Sequence, residues 1–138
     1  MQTELRLTQR DRALLAILTD PIVLQRVEGA VMLVLAVVLY WKLSVPWWLF
    51  VVLILAPDLF MVGYLRGPRV GGAIYNLGHL GVLPGILVIG GIFGGPLLAI
   101  DVALIWFGHI GGDRLLGYGL KLPTAFQDTH LGRTGRNR

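Results

Sequence analysis

Four apolar stretches of about twenty residues follow one another along the chain, parted by short polar or glycine–proline turns. The first covers residues 24–43 and is closed by Tyr40 and Trp41. After Ser44-Val45-Pro46, the pair Trp47 and Trp48 opens the second, which runs to residue 65 and holds Pro57. The basic turn Arg66-Gly67-Pro68-Arg69 leads to the third, residues 72–93, with Pro84 inside it. Gly94-Gly95-Pro96 then precedes the fourth, residues 97–116. A helix of about twenty apolar residues matches a bilayer core of about 30 Å. Paired aromatics at stretch ends form the belt that sits at headgroup level. The pattern predicts an all-α, polytopic integral membrane protein with four transmembrane helices in a compact bundle. Pro57 predicts a bend, because proline removes a backbone donor. The spacings Gly81-x-x-x-Gly85 and Gly90-x-x-x-Gly94 predict close helix approach in the third stretch.

This divides the chain into an arm (residues 1–22), a membrane domain (23–117) and a basic tail (118–138). In the arm, Leu7, Leu14 and Leu18 fall on one helical face among Arg6, Arg10 and Arg12. That suits either an interfacial amphipathic helix or a solvated segment. The arm is not read as a cleavable signal, since its apolar run, residues 13–18, is cut by Thr19-Asp20-Pro21.

Composition agrees with the bilayer as solvent. Only 14% of residues are charged, against about 25% in soluble domains. The absence of cysteine excludes disulfides and thiolate chemistry. A net charge of +4 would raise nucleic acid as a partner, but the basic residues flank apolar stretches, so the expected partner is the lipid bilayer and not nucleic acid. On the four-span reading, eleven of the twelve lysines and arginines fall on one side and only Lys42 on the other. The positive-inside rule then puts both termini in the cytoplasm.

Against that background the ionisable residues stand out. Asp58, His79 and His109 each lie seven residues from the same membrane face, about 10 Å deep at 1.5 Å per residue. Glu28 and Asp113 are shallower on the same side. Asn76 and His79 share a helical stripe (i, i+3), as do His109 and Asp113 (i, i+4), and Tyr75 is an i, i+4 partner of His79. Ionisable groups inside a bilayer are costly and mark functional sites. Two histidines with carboxylates from separate helices suit zinc, iron or manganese. The reading taken forward is a site with Glu28, Asp58, His79, His109 and Asp113 as catalytic candidates. His79, His109, Asp58 and Asp113 are its metal ligands, with Glu28 as general base. Asn76 lines the site, and Arg114, Tyr118 and Lys121 anchor an anionic headgroup. The function expected is metal-dependent hydrolysis of a lipid or amphiphile. Two alternatives stay open: a small oligomeric proton, ion or solute transporter, and a non-catalytic structural subunit. Asp101 is read as incidental, near the outer end of the fourth stretch, and His130 as a residue of the solvated tail.

Several strings resemble a small bacterial integral-membrane family, the domain-of-unknown-function family 4260. They are Leu24-x-x-Val27-Glu28-Gly29, Ala56-Pro57-Asp58, Gly67-Pro68-Arg69-Val70-Gly71 and Tyr75-Asn76-x-x-His79. The strongest is Trp106-x-x-His109-Ile-Gly-x-Asp113-Arg114, followed by Gly117-Tyr118-Gly119 and Lys121, then Phe126 and Thr129-His130. The likeness covers residues 24–134. It implies a compact four-span domain and no established activity. Asp101 and the arginine-rich arm lie outside its pattern.

Overall fold

The computed structural model describes residues 7–43 and 46–134. Arg6, Arg136, Arg138 and the Ser44-Val45 part of the first turn lie outside them. The chain is mostly helical. Three of its helical stretches are long and apolar enough to cross a membrane: Pro21–Lys42, Trp47–Arg66 and Pro68–Ile92.

Helix α1 spans Gln9–Thr19. Thr8 accepts a hydrogen bond from Asp11 N (3.2 Å), and Asp11 Oδ2 accepts one from Thr8 N (2.9 Å), a reciprocal cap. No α1 residue is buried. Helix α2 spans Pro21–Lys42 and starts three residues before the expected position. Asp20 caps it through Ile22 N and Val23 N, and Pro21 fits the first turn because its missing N–H has no partner there.

The second apolar stretch is two elements where one bent helix was expected. Helix α3, Trp47–Leu53, gives way at Ile54 to a 3₁₀ helix over Ala56–Arg66. Pro57 has no N–H to donate to the carbonyl of Leu53 and its ring crowds that group, so the i→i−4 ladder stops. Asp58 N instead reaches back three residues to Leu55 O at 3.1 Å. An 11-residue 3₁₀ run is unusual, since such runs seldom exceed three or four residues.

The third stretch is also divided, into α4 (Pro68–His79) and α5 (Val82–Ile92). Leu80 between them is extended, at φ −87° and ψ 144°. Pro84 would collide with the carbonyl of Leu80 in a continuous helix, but it is harmless in the first turn of a new one. Of the glycines in the expected spacings, Gly85 and Gly90 face open space, while Gly81 lies against the Phe107 ring of the next helical stretch.

Helix α6, Leu97–Leu116, keeps its expected bounds. Gly117 ends it in the left-handed conformation at φ +88°. Its main partner is α2, and there the chains approach closely. A Cβ on Gly111 would sit 2.7 Å from Leu33 N and 2.8 Å from Gly29 O, so only glycine fits. At one end of the molecule Tyr40, Leu104 and Ile105 form a buried core with Phe50 and Ile54. At the other end, residues 118–134 fold back over the helices.

That return segment is largely exposed, as expected of a tail, but it is folded and adds two-residue strands to the mostly helical chain. Strands β1 (Asp128–Thr129) and β2 (Gly132–Arg133) pair antiparallel, and Lys121 bridges to Thr129. His130 Nδ1 accepts from Leu120 N at 2.8 Å, so its other ring nitrogen carries the proton that faces Gln25 Oε1 at 2.9 Å, tying the segment to α2.

Candidate metal centre

Each break in the helices delivers a polar side chain to one point. Asp58 follows Pro57 in the first turn of the 3₁₀ helix, and His79 is the last residue of α4. His109 and Asp113 reach the same point from successive turns of α6. His79 Nε2 and His109 Nε2 are 3.1 Å apart. Asp58 Oδ1 lies 3.7 Å from His79 Nε2 and 3.5 Å from His109 Nε2. Asp113 Oδ2 lies 3.5 and 3.6 Å from the same two atoms. All four donor atoms fall within 4.8 Å of one another.

These separations have a simple geometric content. Five of the six edges of the tetrahedron lie between 3.1 and 3.7 Å. Separations of this size are those of two ligands sharing one ion at bonds of about 2 Å; the sixth, between the two carboxylates, is no more than 4.8 Å.

The surroundings fix the orientation of the donors. His79 Nδ1 is 2.8 Å from the carbonyl oxygen of Tyr75, which can only accept, so the proton sits on Nδ1 and the Nε2 lone pair points inward. The Tyr75 ring stacks on the His79 imidazole at 3.7 Å between centroids and 11° between planes. Its hydroxyl donates to Asp113 Oδ2 at 3.2 Å. Trp106 Nε1 donates to Gly78 O at 2.6 Å, holding the end of α4 against α6. Partners of this kind orient metal ligands and raise their basicity.

His79 and His109 are buried, while the side chains of Asp58 and Asp113 are 33% and 20% exposed. Among the described residues no lysine or arginine pairs with either aspartate. With both carboxylates ionised and both imidazoles neutral, the cluster carries a double negative charge, which a dication would neutralise.

The other expected site residues are placed differently. Glu28 is exposed on α2 and takes no part in the cluster. It is at the right depth, but its neighbour Gly29 faces α6, and adjacent helical positions point about 100° apart. Asn76 grips the main chain of Lys121: its Oδ1 accepts from Lys121 N at 2.7 Å and its Nδ2 donates to Lys121 O at 2.9 Å. Lys121 turns inward, with its ammonium donating to Phe126 O at 2.8 Å and lying 4.1 Å from the Phe126 ring and 5.2 Å from that of Tyr75. Burial pushes its pKa below the usual lysine value, partly opposed by the Asp113 and Asp58 charges. It is committed inside the protein, where a headgroup anchor was expected. Arg114 and Tyr118 line, with Tyr75, His79, Asp113 and His130, a cavity of about 10 Å³, room for about one water. Tyr75 is the residue sequence reasoning undervalued. Its i, i+4 spacing to His79 was visible, but its hydrogen bond to Asp113 on another helix was not.

The chain belongs to the family described as Domain of unknown function (DUF4260), which it matches over residues 22–134. Comparison with curated proteins and with solved structures finds no match.

Proposed function

We propose that this chain is a membrane-embedded metalloprotein in which Asp58, His79, His109 and Asp113 hold one first-row dication, zinc before iron or manganese, and that it works as a metal-dependent hydrolase. The observation that carries the reading is the cluster of two imidazole nitrogens and two carboxylate oxygens, all within 4.8 Å of one another, with the His79 lone pair facing inward. A dication there supplies Lewis acidity and lowers the pKa of a bound water toward ~7. Asp58 has the most exposed side chain of the four and stands at the open edge of the cluster. It is the carboxylate suited to yield its position to water and take the water's proton. Tyr75 holds Asp113 and His79 in place meanwhile. In this reading α6 is a fourth span and the basic end of the molecule, with both termini, faces the cytoplasm.

One observation favours a second reading, a structural metal. Four protein donors close a tetrahedron, as in structural zinc sites, whereas catalytic sites keep a position open. The ion would then staple the divided helices to α6.

Metal analysis of protein purified from membranes, paired with turnover of an activated amphiphilic ester, separates the two. About one ion per chain with hydrolysis proportional to loading supports the hydrolase. Full loading with no turnover, and loss of thermal stability on chelation, supports the staple. Protein that neither retains nor takes up zinc, iron or manganese overturns both.

A further inference from the structure

Beside the centre lies a cavity of about 160 Å³, walled by Ala56, Pro57 and Phe60 on one side and Val102, Ile105 and Trp106 on the other. We infer that it is a hydrocarbon subsite of the metal centre, so that the site takes an amphiphile with its polar head at the metal and about six carbons of chain in this cavity. The inference deepens the hydrolase reading and rests on it.

Position is the first argument. On α6, Val102, Ile105, His109 and Asp113 follow at spacings of three and four, with Trp106 beside Ile105, so cavity wall and metal donors share one side of the helix. Ile105 and His109 are one turn apart, about 6 Å along the axis. On the facing element Pro57 immediately precedes Asp58. Each wall of the cavity thus ends within one residue or one helical turn of a donor, which is the adjacency that a chain with its head at the metal requires.

Chemistry is the second. The one polar side-chain atom among these walls is the indole nitrogen of Trp106, and it is committed to Gly78 O. Water needs two to four polar partners to settle, and this partly open apolar pocket offers none, so hydrocarbon is the occupant it suits. The source of such a chain is also at hand. The Ala56 wall belongs to a stretch apolar enough to cross a membrane, and its neighbours Leu55 and Leu59 are exposed on the outside. A bilayer amphiphile could enter sideways without passing through water.

The test uses full-length, zinc-loaded protein in bicelles and a series of straight-chain alkyl hydroxamates, whose heads chelate the metal. Affinity should rise about 4-fold per added methylene up to about six carbons, then level off. Ala56→Leu and Val102→Phe fill the cavity from opposite walls. Each should flatten the chain-length dependence while leaving acetohydroxamate affinity as in the parent, which also shows that the variant has folded. Comparison in the same bicelles cancels partitioning into lipid. If parent and both variants show the same slope, the chain merely partitions into the bilayer and the subsite is wrong. If zinc binds but acetohydroxamate does not, the centre is closed, and the hydrolase reading fails together with this one. If zinc does not bind, the metal reading itself fails.

Discussion

Two halves of this molecule are built in opposite ways. Helices α2 and α6 run unbroken for 22 and 20 residues and meet backbone to backbone at Gly29 and Gly111. The intervening stretches are divided: α3 changes to a 3₁₀ helix, and α4 stops one residue before extended Leu80. The regular half supplies two donors, His109 and Asp113, at the fixed one-turn spacing of a helix. No single helix can also supply the other two corners of a tetrahedron, because its side chains all radiate from one axis. Those corners come from the ends of the divided elements, Asp58 just after a break and His79 just before one. The breaks cost regular hydrogen bonds, and irregular backbone at membrane depth is tolerated where it is buried in protein or lines a cavity. The unbroken half is the platform, and the broken half completes the His/Asp cluster on it.

The comparison breaks most completely at His109. Replacing it with alanine should lower metal affinity by at least about 100-fold, since a ligand lost matters more than an outer partner, worth about 10–100-fold. Insertion should survive, because hydrogen bonds in membranes average about 0.6 kcal/mol. Metal content per chain and a thermal melt of the same sample measure the two effects, and unchanged metal content would reject the centre. Next comes the platform itself. Gly111→Ala places a Cβ against the backbone of α2 and should cost about 1–3 kcal/mol of stability by overpacking. Metal stoichiometry in the folded fraction should persist. Equal stability to the parent in denaturant titrations would mean that the α2–α6 contact is looser than described.

A smaller effect is expected at the clasp of the return segment. Asn76→Ala removes both hydrogen bonds to Lys121 and should cost about 1–3 kcal/mol. Residues 118–134 should then be cleaved faster in limited proteolysis, with metal affinity falling no more than about 10-fold. Resistance equal to the parent would show that the segment is held by other contacts. Smallest of all, Glu28→Gln should leave metal content and melting temperature unchanged, as suits an exposed group outside the cluster. A loss of bound metal in that variant would bring Glu28 back into the site.

How much of this could be read from sequence depended on what kind of regularity carried it. The bounds of α6 followed from hydropathy and its flanking turns. The gathering of Asp58, His79, His109 and Asp113 followed from counting depth along each stretch and checking helical stripes. Depth alone misled at Glu28, because it fixes height in the membrane but not the direction a side chain faces. Pro57 and Pro84 marked the breaks, yet proline says only that the ladder is interrupted, not that 11 residues will continue as 3₁₀ helix. The fold of residues 118–134 was not legible. It has no hydrophobic period, and its structure depends on side chains far away in sequence, Asn76 and Gln25, that hold its main chain and His130.

The pairing of α2 with α6 also sets a timetable. Gly29 and Gly111 are roughly 80 residues apart in the chain, and at about 5–20 residues per second the ribosome needs about 4–16 s to pass from one to the other. Throughout that interval the glycine face of the first long helix has no partner. The helix it waits for is the one that carries Asp101, Asp113 and Arg114 and so has the weakest tendency to stay in lipid unaided. On the proposed four-span reading, the docking of α6, with His109 and Asp113, therefore depends on a surface of α2 that was made before it.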